Sequence, residues 1–310
     1  MPRPATCTYQ GTDADGALSA SPLPQGRRVR APSARCTCGR LCWVSDTPDE
    51  VNLAALFQRY AATREPLDRW RARSRTVESP QPGSDLAGDI PASPGIPSHE
   101  LARHALVSAT QHLNLARTAI EASDLYPIAH NSVLRGALVG SSRAVWMLWP
   151  DDPLERQQRA LRVGYESHRR FRQYAEAAGL ELHGVAVLDQ VAAETRSAWR
   201  ETATLKANET VGDGAMIAAA AAQLFADDPR REKVAAMWMQ GSGDAHGVPW
   251  PAMSRPASRP LEQGWVPGYP RKMVSVALPG DLASFVDDYE LVFTITRRGW
   301  SLFDQRCTGP

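Results

Sequence analysis

Residues 98–122 read SHELARHALVSATQHLNLARTAIEA, and this stretch decides the fold. Leu101, Ala105, Ala109, His112, Leu113, Ala116 and Ile120 recur at three- and four-residue steps, which sets them on one face of a helix. Ser98 is a good cap for its start. His112 falls on the apolar stripe and reads as a satisfied core residue before it reads as a ligand. Tyr126-Pro127 opens a second helix to about Trp149, with Leu134, Ala137, Leu138, Ser141, Ala144, Val145 and Leu148 inward. Gly136, Ala137, Gly140, Ser141 and Ala144 are small enough to let a neighbouring backbone approach. Arg135 and Arg143 sit off this stripe and border the bundle or line a groove.

The same pattern repeats down the chain. Asp152-Pro153 with Glu155 reads as cap, first helical residue and capping-box acid, for a helix ending near Gly179. This helix carries Arg156, Arg159, Arg162, Arg169, Arg170 and Arg172, a solvated face or a phosphate-binding one. Further helices are expected over about 182–207, 210–225 and from Asp228-Pro229 onward. Residues 282–303 suit either a helix or, at Val292-Phe293-Thr294-Ile295-Thr296, a strand; Asp281 after Pro279-Gly280 decides for a helix. Short connections between amphipathic helices predict an all-α protein with an antiparallel helical bundle.

Outside the bundle the composition changes. Residues 1–47 are rich in Pro, Gly, Ser, Thr and Arg, and predict a disordered arm. Cys36, Cys38 and Cys42 lie within it, but gaps of one and three residues do not match the usual zinc knuckle, so they read as free thiols and no metal ligand is assigned. Residues 48–78 predict a helix. Residues 79–97 hold Pro80, Pro82, Pro91, Pro94 and Pro97 and predict a Pro-rich linker. The bundle domain is expected over 98–310, closed by a C-terminal segment. Residues 248–270, with six prolines, read as an extended crossing whose Trp250 and Trp265 pack back on the bundle.

The 310 residues carry a net charge of +1, so no global field draws the chain to nucleic acid or membrane. Five cysteines are too few for a disulfide scaffold. Only Lys206, Lys233 and Lys272 are lysines, a bias that reads as GC-rich codon usage. The first residues lack the features of a signal peptide. Residues 132–150, the most apolar run, are interrupted by Arg135 and Arg143 and read as a core helix, so a cytoplasmic protein off the membrane is expected. Walker, dinucleotide-binding, zinc-protease and nucleophile-elbow motifs are absent, so no cofactor is expected.

The cluster singled out for chemistry is Trp238-Met239-Gln240-Gly241-Ser242-Gly243-Asp244-Ala245-His246-Gly247. Ser242 and His246 are four apart and share a helical face, close enough for a hydroxyl–imidazole hydrogen bond. They are the candidate catalytic pair. Asp244 points away from both; it, Trp238, Arg135 and Arg143 are the candidate ligand-binding residues. The alternative is a helix C-terminus, with His246 near the last carbonyls and the glycines ending the turn.

Leu134-Arg135 through Val145-Trp146-Met147-Leu148, then Pro150-Asp151-Asp152, Glu155-Arg156 and Arg159, with Ser242-Gly243 and His246-Gly247, resembles an uncharacterised all-helical family of actinobacteria over roughly residues 100–300. That family is in turn similar to HEPN-type helical domains, many of which are ribonucleases of defence and toxin systems. The resemblance implies a non-catalytic binding or regulatory module that forms a homodimer or contacts nucleic acid or a nucleotide. The alternative it implies is a metal-independent ribonuclease or hydrolase using His246 with an Arg. The Arg-to-His spacing typical of those nucleases occurs at Arg162 and His168, where six positions of helix turn the two side chains apart. Convergence of His246, Arg135 and Arg143 in an open cleft would favour the enzyme.

Overall fold

The computed structural model describes residues 53–93, 95–122, 125–180, 185–202, 211–255, 259–265, 272–277 and 282–309. The expected N-terminal arm, with Cys36, Cys38 and Cys42, lies outside them. The chain divides into Met1–Ala55 and Leu56–Pro310, and the fold described is that of the second unit.

The protein is an all-α bundle. In chain order its helices are α1 (Leu53–Ala61), α2 (Arg64–Arg73), α3 (Asp85–Asp89), α4 (Ser98–Glu121), α5 (Pro127–Leu148), α6 (Pro153–Ala177), α7 (Val185–Thr202), α8 (Asp213–Phe225), α9 (Arg230–Ala245), α10 (Trp250–Ser254) and α11 (Leu282–Cys307). Strands β1 (Arg259–Trp265) and β2 (Lys272–Ala277) form an antiparallel hairpin, irregular between Pro260 and Glu262. A proline has no N–H to give to a ladder, which accounts for an irregularity there. No helix among the described residues is long and apolar enough to cross a membrane.

Helix α5 is the hub, with α4, α8, α9 and α11 packed around it. Its small residues make this possible. A methyl group on Gly140 would lie 2.6 Å from the carbonyl oxygen of Ala105, so α4 and α5 touch backbone to backbone there. Gly136 faces the ring of His112, whose Nδ1 lies 2.8 Å from the Ser108 carbonyl oxygen. His112 is thus the satisfied interface residue its place on the stripe suggested. Helix α11 is buried along most of its length, and Trp300 donates from Nε1 to Thr110 Oγ1 at 3.2 Å. Its buried positions Phe285, Val286, Tyr289, Val292, Phe293, Thr296, Trp300 and Phe303 follow the helical period.

Three expectations need correction. Residues 48–78 do not form one helix: α1 and α2 are separated at Ala62–Thr63, where Thr63 Oγ1 donates to the Tyr60 carbonyl. The stretch 79–97 contains α3, capped by Ser84 Oγ, followed by a single 3-10 turn at Ile90–Ala92. Leu86 is fully buried, and Asp89 forms a buried ion pair with Arg156, so this stretch is part of the core. Residues 248–270 are not simply extended, since they include α10 and β1. Trp250 does pack back, against Gly243; the side chain of Trp265 lies outside what is described.

Candidate functional site

Helix α9 begins where Asp228 Oδ1 accepts the N–H of Arg230 at 2.8 Å. It ends in a full set of terminating hydrogen bonds. His246 is the last half-helical residue, and Gly247 takes a left-handed φ of +66°. The N–H of Gly247 donates to the Asp244 carbonyl, and that of Val248 to the Gly243 carbonyl, both at 3.1 Å. This is a Schellman motif, and glycine is the residue that reaches that φ without strain. The spacing of Ser242, Gly243, His246 and Gly247 therefore has a structural cause.

The Ser242 and His246 side chains do not meet. The N–H of His246 donates to the Ser242 carbonyl at 3.1 Å, but among the described residues neither side chain has a hydrogen bond. Ser242 is half-buried and His246 exposed. The hydrogen-bonded catalytic pair expected from their spacing is not formed, although His246 still has helical backbone.

The candidate ligand residues go to different neighbours. Arg143 donates from Nη2 to Asp213 Oδ1 at 2.8 Å, at the start of α8. Trp238 also leans on α8: a methyl group on Gly214 would come within 2.9 Å of its ring. Arg135 packs against Gly241, where an added methyl would lie 2.9 Å from the Arg135 Cβ and 2.8 Å from the Asn131 carbonyl oxygen. Gly241 and Gly243 thus serve helix contact, and Gly247 serves the helix stop.

Asp244 is the exception, since it leads to a cavity. It is buried and accepts from Asn131 Nδ2 at 3.1 Å and from Arg255 Nη2. Asn131 and Arg255 both line a cleft of about 610 Å³ between the start of α5, α9, α10 and the start of α11. Its apolar wall includes Met237, Trp250 and Phe285; Lys233, Asp287 and Asp288 stand at another side. Lys233 Nζ lies 3.1 Å from Asp288 Oδ1 and 3.9 Å from Asp287 Oδ2, and Arg59 takes the other Asp287 oxygen at 2.7 Å. Gln240 donates to Ser254 Oγ at 3.2 Å. His130 also lines the cleft, and its Nδ1 lies 2.8 Å from the backbone nitrogen and 3.0 Å from the carbonyl oxygen of Tyr126. His246, Ser242, Arg135, Arg143 and Trp238 are not among the lining residues.

Arg255 and Asn131 were missed by sequence reasoning. Arg255 follows a one-turn helix in a proline-rich stretch, eleven residues beyond Asp244, and no periodicity links the two. The signal in the sequence was that helical spacing turns Asp244 away from Ser242 and His246.

Other candidate nucleophiles and bases are less suited to chemistry. Burial pushes the Cys307 thiol up to about 12, so it is not a thiolate at neutral pH. His168 lies beneath Gly95, with its Nε2 buried and its basicity lowered by that burial. Helix α6 runs unbroken past Arg162 and His168, which keeps them on different faces. Arg169 and Arg170 are held by Glu166, and Arg172 by Glu176 and Asp189, so much of the basic face is already neutralised. Compared with models of known families, with curated proteins and with solved structures, the chain finds no match.

Proposed function

We propose that this chain is a cytoplasmic, non-catalytic binding module of the HEPN-like helical kind, and that it works through the cleft bounded by α5, α9, α10 and α11. One observation carries the reading. Asp244, the acid of the singled-out stretch, positions Arg255 in a preformed cleft, whereas Ser242 and His246 belong to a helix stop outside it. A cavity of this size, mostly apolar with a few convergent polar groups, suits a small ligand or a side chain of a partner. A general base needs reach to a proton donor and an orienting partner, and His246 has neither among the described residues. A second copy of the chain and a nucleotide or nucleic acid are the partners this reading carries over from the sequence.

An RNA-cleavage assay tests the catalytic side. Wild type and His246→Ala are expected to match the buffer control. Cleavage by wild type that is lost in His246→Ala would overturn the non-catalytic reading. Sedimentation of the pure chain and titration with ATP read the two partners separately.

A further inference from the structure

Resting on that cleft reading, we infer that the cleft selects a small apolar molecule bearing an uncharged carbonyl acceptor, with Arg255 as the residue that reads the carbonyl. Arg255 lines the cavity and its side chain is only 11% exposed. One terminal nitrogen, Nη2, is held by Asp244. The other, Nη1, is buried and has no acceptor among the described residues. A buried N–H without a partner is costly, and an arriving oxygen acceptor relieves that cost. Asn131 fixes Asp244 from behind, so the guanidinium is already oriented when the ligand enters.

Charge decides what kind of oxygen this is. Lys233 and Arg255 are the cations at the cleft, against Asp287, Asp288 and the Asp244 behind Arg255. Two cations against three carboxylates leave one net negative charge. Adding Arg59 and Glu290, which pair beside Asp287, does not change the balance. A carboxylate or phosphate ligand would face that surplus in a partly dry site, whereas an amide or ketone oxygen takes the Nη1 donor without adding charge. The apolar body of the ligand then rests on Met237, Trp250 and Phe285. Met239 on α9 and Met253 on α10, both exposed, offer an adaptable rim.

Calorimetric titration with three probes of one ring system tests this: naphthamide, naphthoate and methylnaphthalene. Naphthamide is expected to bind about tenfold more tightly than methylnaphthalene, the factor one charge-assisted hydrogen bond supplies, and naphthoate no more tightly than methylnaphthalene. Arg255→Lys keeps a cation against Asp244 but lacks the second nitrogen. It should melt like wild type and bind naphthamide and methylnaphthalene equally. Trp250→Ala should weaken all probes. If wild type binds amide and hydrocarbon alike, the role of Arg255 fails while the cleft reading stands. If naphthoate binds tightest, the charge argument is wrong. If none of the probes binds, the inference and the cleft reading fall together.

Discussion

Arg156 shows how a single residue can be misread when only its neighbours along the chain are visible. On α6 it stands among many arginines, and composition offers a solvated face or a phosphate surface. In the fold it is one of the most buried side chains, with 2% exposure against 1% for its partner Asp89. Its Nε donates to Asp89 at 2.7 Å, and its Nη1 to the carbonyls of Pro150 and Asp151, both at 3.2 Å. Arg306 does similar work from the far end of the chain, reaching the carbonyls of Leu148 and Pro150 and the carboxylates of Asp85 and Asp151. Arg306 takes the terminal Leu148 carbonyl of α5, and both arginines take carbonyls of the turn that follows it, where positive charge also suits the helix dipole. The arginine at position 156 of this basic helix is therefore explained by bundle closure. Arg156→Ala strands a buried carboxylate and should lose about 3–5 kcal/mol in urea unfolding. The double variant with Asp89→Ala should lose less than the sum of the two single changes. Additive losses would show that the pair is not coupled.

At the scale of elements, the long helices were legible and the short ones were not. The starts of α5, α6 and α9 follow from Pro127, Pro153 and Asp228, because capping and proline geometry act within one turn of chain. Helix α3 carries only the Ser84 cap as a local signal. What holds it is remote: Leu86 in the core, Asp85 on Arg306 and Asp89 on Arg156. Five prolines nearby argued against any helix, yet Pro91 sits at the start of the 3-10 turn, where a missing N–H costs nothing. The small residues of α5 were correctly read as a site of close approach, and they give a sharp test. Gly140→Ala drives a methyl group to 2.6 Å from the Ala105 carbonyl oxygen, a backbone atom that moves only with all of α4. The expected cost is about 1–3 kcal/mol, by overpacking. Gly88→Ala is the control, since nothing lies within 4 Å of its added methyl and alanine favours helix by about 0.5–1 kcal/mol. Paired thermal melts of the two variants should move in opposite directions, and a shared direction would contradict the contact.

The candidate site belongs to the whole molecule, which is why the sequence showed only one of its parts. Asn131, Met237, Arg255 and Phe285 come from four regions that meet only after the bundle closes. Asp244 was legible because it lies inside a glycine-rich stretch; the residues that give it a role were not. The same closure sets how stability should follow pH. Burial lowers the basicity of His99 and His168. The unfolded chain then binds their protons more readily, so the stability they allow is complete above about pH 6.5 and drains as pH falls below it. Hydrogen bonds from Arg73 and Arg169 hold Glu78 and Glu166 below the usual carboxylate range. Their contribution is present above about pH 4.3 and is lost as pH falls through their folded values. Burial raises the phenols of Tyr60 and Tyr289, whose share persists below about pH 10 and drops as the unfolded chain ionises above it. Urea midpoints should accordingly form a plateau between about pH 7 and 9, with a shallow loss toward about pH 5.5 and a steeper one below about pH 4.3. Replacing His99 and His168 together with Gln should flatten the shallow limb and leave the steep one. A double variant that keeps the shallow limb would mean other groups titrate there, and that these two rings are not closed off from water in solution.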